Sequence, residues 1–250
     1  VERLTVPRYV QAVQFPYYHG LTVDTLELPE TVLYVDTSGI PSIDEDWLLY
    51  DRGLKVTQNY TVAEGNPRYS SRDGLLMNVD GTEILGVPTA RTALTVQSGV
   101  TRVVLPYSNS LKALVLEAES LEDLPEVNYA RLSKSCRIVV PDELLTAYLS
   151  DQREMLQRTG LSVIPASQYD PSQDGSQNGY VLRDDFLLTS DLRLHQVLRE
   201  SVHWLALPDG LTGAEAEAFT GLAGDLEVLI LPQDGTFPHF AEGSFAGYDN

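Results

Sequence analysis

The sequence predicts a parallel solenoid of the right-handed β/α superhelix type, in which each turn supplies one short strand, with β-hairpin insertions and a short helix. Three observations carry that expectation. Apolar runs of strand length stop at proline and recur: LTVP ends at Pro7 and LELP at Pro29, a step of 22, and LALP ends at Pro208 and LILP at Pro232, a step of 24. Similar runs without the proline stand between them, YTV at 60–62, LTV at 94–96, LVL at 114–116 and IVV at 138–140, with steps of 20 from Val96 to Leu116 and 24 from there to Val140. Residues 203–247 also state one phrase twice, WLALPDGLTGAEAEAF and then VLILPQDGTFPHFAEGSF.

A step in the low twenties falls within the roughly 20–29 residues of a leucine-rich repeat. A unit that short cannot bury its own apolar face, so neighbouring units must stack. Proline has a physical part in this arrangement. It has no N–H to give a parallel ladder, so it ends the strand, and its fixed φ sends the chain into the turn that follows. In PETV, PDGL and PDEL the next apolar residue is then placed to point back into the core.

The steps from Leu28 to Val62 and from Val62 to Val96 are longer, 34 residues each. The excess holds LLMN and TEIL on either side of Asp80-Gly81, and Asp-Gly between apolar runs signals a type I′ hairpin because both central residues then need positive φ. A hairpin is therefore expected over Leu75 to Leu85. LRDDFLLTSDLRLHQVL, from Leu182 to Leu198, reads as a weaker copy: Asp184 and Asp191 are seven apart, as are Asp73 and Asp80, with a slip of one residue near the end. Pro141 to Gly160 reads as the clearest helix, with proline in its first turn, Leu144, Leu145, Tyr148, Leu149, Met155 and Leu156 near one face, and a glycine stop. Ala166 to Gly179 has almost no apolar content. The expected division is thus a repeat array over 1–165 ending in a helix, a polar linker over 166–179 and further repeats over 180–250, with AEAEAF at 214–219 as a short helical turn.

Composition narrows the function. Of 250 residues 43% are hydrophobic and 21% charged, enough for one or two cores. Seventeen Lys and Arg stand against 36 Asp and Glu, a net charge of −19. That sign argues against nucleic acid, which needs a basic footprint, and against anionic lipid. From Ser201 to Asn250 there is no Lys or Arg, and the acids there are expected to form a solvated face. Runs such as Val228 to Leu231 are far short of the roughly 20 residues that cross a bilayer, so no membrane span is expected. The chain starts at Val1 without a leader, as expected of a mature fragment, and the GSFAGYDN tail, just past a repeat phrase, suggests a longer parent. Cys136, in SCRIVVP, is the only cysteine, which excludes an intrachain disulfide and fits a buried small hydrophobe.

With these phrases in view, the sequence resembles the BspA-like leucine-rich repeat proteins of bacterial and some protist surfaces. LALPDGLTGAEAEAFTG and LILPQDGTFPHFAEGSFAG carry the resemblance, YTVAEGNPRYSSRDGLLMNVDGTEIL looks like the hairpin insertion of that family, and IVVPDELLTAYLSD is similar to its closing segment. After LELPETVLYV the family's Ala-Phe is missing and IDEDWLLY stands instead. The resemblance implies a secreted or surface-anchored bacterial protein that engages a host or neighbouring-cell component, without catalysis.

Motifs of chemistry are absent. There is no GxGxxG, Walker lysine loop, HExxH or CxxC, and GSFAG at 243–247 has its serine in the wrong place for a nucleophile elbow. NVDGTE at 78–83 lacks the flanking acids of a calcium loop, with Leu76 and Val87 where ligands would stand. His19, His195, His203 and His239 are scattered without metal-ligand spacing. Asp44, Glu45, Asp46, Asp184 and Asp185 read as solvated turn acids, and the Asn59-Tyr60-Thr61 sequon as chance. No catalytic, cofactor or metal site is therefore expected. The binding hint is aromatic: Tyr9, Phe15, Tyr17 and Tyr18 form an edge suited to protein or glycan partners. The expected function is a non-catalytic binding or adhesion module at the cell surface or outside the cell. The alternatives are a spacer within a larger surface protein and, less favoured, a carbohydrate-active enzyme on a solenoid, which needs two carboxylates roughly 5–10 Å apart in a groove.

Overall fold

The structure is a computed structural model describing residues 1–14, 20–36, 54–106, 109–172, 179–199, 202–222, 224–235 and 238–248. The chain divides into two units, Val1–Ser133 and Lys134–Asn250. The polar segment 166–179 falls inside the second.

In the first unit the strands alternate between ladders. β1 (Arg3–Thr5), β2 (Ala12–Gln14), β3 (Leu21–Leu28), β4 (Tyr34–Asp36) and β5 (Leu54–Val62) pair in parallel as β1-β3-β5 and β2-β4. Leu4 lies opposite Leu26, and Val13 opposite Val35. Each strand thus meets the next but one, a full repeat further along. Leu28 is the last residue of β3, directly before Pro29, as the missing N–H requires. Val23, Leu26 and Val32 are fully buried, with Val56 and Tyr60 beside them. Asn66 stitches this core: its Nδ2 donates to Pro29 O (2.8 Å) and Val32 O (2.9 Å), while its Oδ1 accepts from Arg68 N and Tyr69 N. Every polar group of this buried amide is satisfied, which is what burial demands.

A meander follows, β6 (Tyr69–Arg72), β7 (Leu75–Asn78) and β8 (Glu83–Gly86), paired antiparallel. The turn with two positive φ values is Asp73-Gly74, at 51° and 77°, rather than Asp80-Gly81, where only Gly81 (72°) is positive. Asn78 accounts for the difference, because its Oδ1 accepts from Thr82 N (2.8 Å) and Glu83 N (3.0 Å) and closes a wider turn. Alternation then resumes with β9 (Ala93–Val96), β10 (Arg102–Val103), β11 (Ala113–Leu116) and β12 (Glu126–Val127), paired as β9-β11 and β8-β10-β12.

In the second unit β13 (Arg137–Val140) leads into helices α1 (Leu145–Asp151) and α2 (Arg153–Thr159). The expected single helix is broken at Gln152 (φ −92°, ψ 16°), but it ends where expected, at Gly160 with φ 66°. β14 (Ser162–Pro165) pairs in parallel with β13 and again stops at proline. The chain does not close there. A second meander follows, β15 (Tyr180–Arg183), β16 (Phe186–Thr189) and β17 (Arg193–Val197), then β18 (Trp204–Ala206), β19 (Gly213–Ala214), β20 (Val228–Ile230) and β21 (His239–Phe240). One ladder runs β21-β19-β17-β16-β15-β14-β13, and β18 pairs with β20 alone. Phe219 lies on the core, stacked 4.7 Å from Phe245, so successive copies of the repeated phrase place ring on ring.

Two expectations are corrected. Each expected hairpin is a three-stranded antiparallel meander, which makes the sheets mixed rather than parallel. Nor does a turn carry one strand: it carries two, the second being a short strand such as Arg102–Val103 or Gly213–Ala214 where a helical return is expected. Within AEAEAF, Ala214 ends β19 and 216–219 form a turn that is not helical, in which Glu217 has φ 65°.

The duplication extends further than the sequence suggests. Tyr69 and Tyr180, Asp73 and Asp184, Asn78 and Thr189, Leu94 and Leu205, and Gly99 and Gly210 all stand 111 apart, so β6–β10 recur as β15–β19. Both meanders carry a register shift at the same place, Leu76/Met77 and Leu187/Leu188. On both sides of that shift the pairing of the second copy is one residue out of step, Leu76 facing Gly86 and Leu187 facing Gln196, Met77 facing Ile84 and Leu188 facing Leu194.

Candidate functional site

Strand alternation places the site. In β18 Leu205 points inward and is 2% exposed, so Trp204 and Ala206 point out; in β20 Ile230 does the same. The parallel register sets Trp204 beside Val228 and Ala206 beside Ile230. The outward face of this two-stranded sheet is therefore Trp204, Ala206, Val228 and Ile230, with the indole 66% and Ile230 36% exposed.

Carboxylates bracket this face. At the start of the strands Glu227 lies 3.5 Å from His203, both well exposed. Past their ends, Asp209 Oδ1 accepts from Gln233 N (2.8 Å) and Gly210 N donates to Asp234 Oδ2 (2.7 Å), so the two turns exchange backbone-to-carboxylate bonds. Those bonds tie the two turns to one another.

The first unit supplies the comparison. Its equivalent ladder, β9-β11, presents Ala93 and Thr95 where the second has Trp204 and Ala206. Alanine serves the fold at that place, so packing does not require the indole. Lys112, before β11, donates its N–H to Thr92 O as Glu227, before β20, donates to His203 O, so a cation in one unit stands where an anion stands in the other.

Of the aromatic edge expected at the N-terminus, Tyr9 is 85% exposed, in a turn whose carbonyls at Arg8 and Val10 accept from Thr31 Oγ1. Leu33 and Tyr34, exposed at the start of β4, bond to Gln11 O beside that turn. Phe15, Tyr17 and Tyr18 lie outside the described residues, as do His19, Asp44, Glu45 and Asp46.

Titratable groups come together in one further place. His195 Nδ1 lies 2.7 Å from Glu215 Oε2, and the Tyr180 ring stacks on the imidazole with centroids 4.1 Å apart. Burial raises the Tyr180 hydroxyl pKa, the Gln168 hydrogen bond opposes that and the Glu215 carboxylate reinforces it. The sequence scatters these residues, but Leu194 pairs with Ala214, which makes His195 and Glu215 the next rung. Asp185 is not a solvated turn acid: Arg153 and Arg199 both pair with it and its side chain is 14% exposed. Cys136 is fully buried, and burial pushes its thiol up to about 12. Among the described residues no three His, Cys, Asp or Glu side chains are grouped to hold a metal, and no helix is long and apolar enough to cross a membrane.

No protein-family model matches the sequence, and no curated protein matches it. Two solved structures are similar to it. A leucine-rich repeat protein from Eubacterium ventriosum is 16% identical, with 57% of this chain and 32% of that one covered and a TM-score of 0.26. The pneumococcal vaccine antigen PcpA is 12% identical, with 60% and 65% covered and a TM-score of 0.26. The match thus spans about a third of the length of the first protein and just under two thirds of the second.

Proposed function

We propose that the chain is a non-catalytic binding module of a secreted or surface protein, built as a BspA-like leucine-rich-repeat solenoid with paired-strand turns, that engages a protein or glycan of a host or neighbouring cell. The observation that carries this reading is the outward face of β18-β20, where a tryptophan and an isoleucine stand in solvent at positions the fold fills equally well with alanine and valine. An exposed aromatic on a rigid ladder is an anchor with little entropy to lose on binding. The Tyr9 edge with Tyr34 is a second contact surface of the same kind.

The test is binding of the purified chain to an array of extracellular-matrix proteins and glycans, alongside Trp204→Ala and Tyr9→Ala. A saturable hit weakened at least about tenfold by either substitution supports the module, in line with the cost of losing an anchor. Silence of the wild type moves the function to a spacer that holds another domain away from the cell.

A further inference from the structure

We infer that His195 and Glu215 form a pH-sensitive clasp, which fastens β19 to β17 more tightly when the imidazole carries a proton. The inference stands apart from the binding-module reading.

The two copies of the meander differ at one rung. In the first, Leu76 faces Gly86 and Met77 faces Ile84, so Leu85 is the extra residue of the bulge; in the second, Leu187 faces Gln196 and Leu188 faces Leu194, so the extra residue is His195. A bulge re-aims the side chain it carries. Beside it, Val104 N donates to Ile84 O and Glu215 N to Leu194 O, both at 2.8 Å, which makes Val104 and Glu215 equivalent as well. Two half-buried apolar side chains serve this joint in the first unit, and a histidine and a carboxylate take their places in the second.

The geometry makes that pair answer to a proton. His195 Nδ1 donates to Glu215 Oε2 at 2.7 Å, since an ionised carboxylate only accepts. With a neutral ring this is an ordinary hydrogen bond; protonation turns the same contact into an ion pair of roughly twice the strength. The Tyr180 ring, stacked 4.1 Å away at 25°, attracts a charged imidazole further through its negative face. With 31% and 36% of the two side chains exposed, solvent holds the gain to that of a surface pair.

The charged groups around the joint come from several strands. Glu215 comes from β19 and Tyr180 from β15. On β17 itself Arg193 reaches Ala214 O at 3.3 Å, and Asp191, after β16, accepts from Thr189 Oγ1. Arg137 of β13 lies beside Gly179, just before Tyr180. On β21 His239 faces Gly213, and Glu242 follows Ala241, whose N–H donates to Ala214 O. His239 is the other imidazole among them and needs its own control.

Hydrogen exchange read by mass spectrometry on the full chain tests the clasp. The readout is the protection of the peptide from Thr212 to Leu222, corrected for intrinsic exchange, at about pH 5.5 and about pH 8, either side of the usual imidazole range near 6.5. The peptide from Thr101 to Leu105, with its apolar rung, is the internal reference. Wild type should gain about threefold in protection over the reference at the lower pH, the worth of one surface ion pair. Glu215→Gln keeps an acceptor without the charge, and His195→Leu with Glu215→Val copies the first unit; each should remove the gain. His239→Gln should leave it in place.

An equal gain in wild type and Glu215→Gln overturns the clasp, since pH then acts through the net charge of −19 as a whole. Protection that is the same at both pH values, or weaker at the lower one, overturns it too. Loss of the gain in His239→Gln assigns the effect to the other imidazole and overturns it as well.

Discussion

Gly213→Ala tests the stacking of the last turns. A Cβ at position 213 would sit well inside 3.0 Å of the His239 carbonyl oxygen and 3.4 Å from the carbonyl carbon. That neighbour is backbone of the adjoining strand β21, which cannot swing aside as a side chain can, so β21 must leave. Two hydrogen bonds leave with it, His239 N to Thr212 O at 3.1 Å and Ala241 N to Ala214 O at 2.9 Å. At 0.5–1.5 kcal/mol net each they amount to about 1–3 kcal/mol. Phe240, 5.3 Å from Phe245 and 6.1 Å from Phe219, is drawn off the aromatic cluster, which adds about 1 kcal/mol. The expected loss is about 3 kcal/mol, or a Tm lower by roughly 10 °C. Gly221→Ala is the control, because its Cβ meets nothing within 4 Å and its φ is ordinary. It should be neutral or stabilising by about 0.5 kcal/mol. Thermal melts followed by circular dichroism decide: if Gly213→Ala melts within about 2 °C of wild type, β21 is not held on β19 at this spacing and the reasoning fails.

Three other expectations follow from the interior. Asn66→Ala should cost about 2–4 kcal/mol in urea unfolding, because it strands the Pro29 and Val32 carbonyls and the Arg68 and Tyr69 N–H groups; a loss under about 1 kcal/mol would show that water replaces the amide freely. Cys136 should resist iodoacetamide in the native state at pH 8 and react on unfolding. Its folded pKa lies above the unfolded one, so its contribution to stability is whole below pH 9 and is lost as pH rises from about 9 to about 12; Cys136→Ala should flatten the alkaline fall of the urea midpoint, and an unchanged slope would count against the burial argument. Glu217→Gly should raise Tm slightly, since an exposed glutamate held at φ 65° carries about 1 kcal/mol of backbone strain that glycine lacks; a lower Tm would mean the side chain contributes more than the strain costs.

Strands ended by proline were legible because their signal is local: apolar content and a missing N–H are both written in four letters. The strands of LELP and IVVP end on the residue before proline, and those of LALP and LILP end one residue earlier. The second strand of each turn was not legible. Gly213–Ala214 has no apolar run of its own and becomes strand through neighbours twenty or more residues away, as Gly213 does opposite His239, and the VVL run at 103–105 lies off the step of the other strands. Turn type was misplaced for a related reason. Asp80-Gly81 has the composition of a type I′ turn, but the Asn78 side chain, outside the dipeptide, selects another geometry. The exposed face was in principle readable. WLAL alternates, so once Leu205 and Leu207 are assigned to the core, Trp204 must face out. The repeated phrase describes the inward residues, and the face is made of the residues that do not repeat.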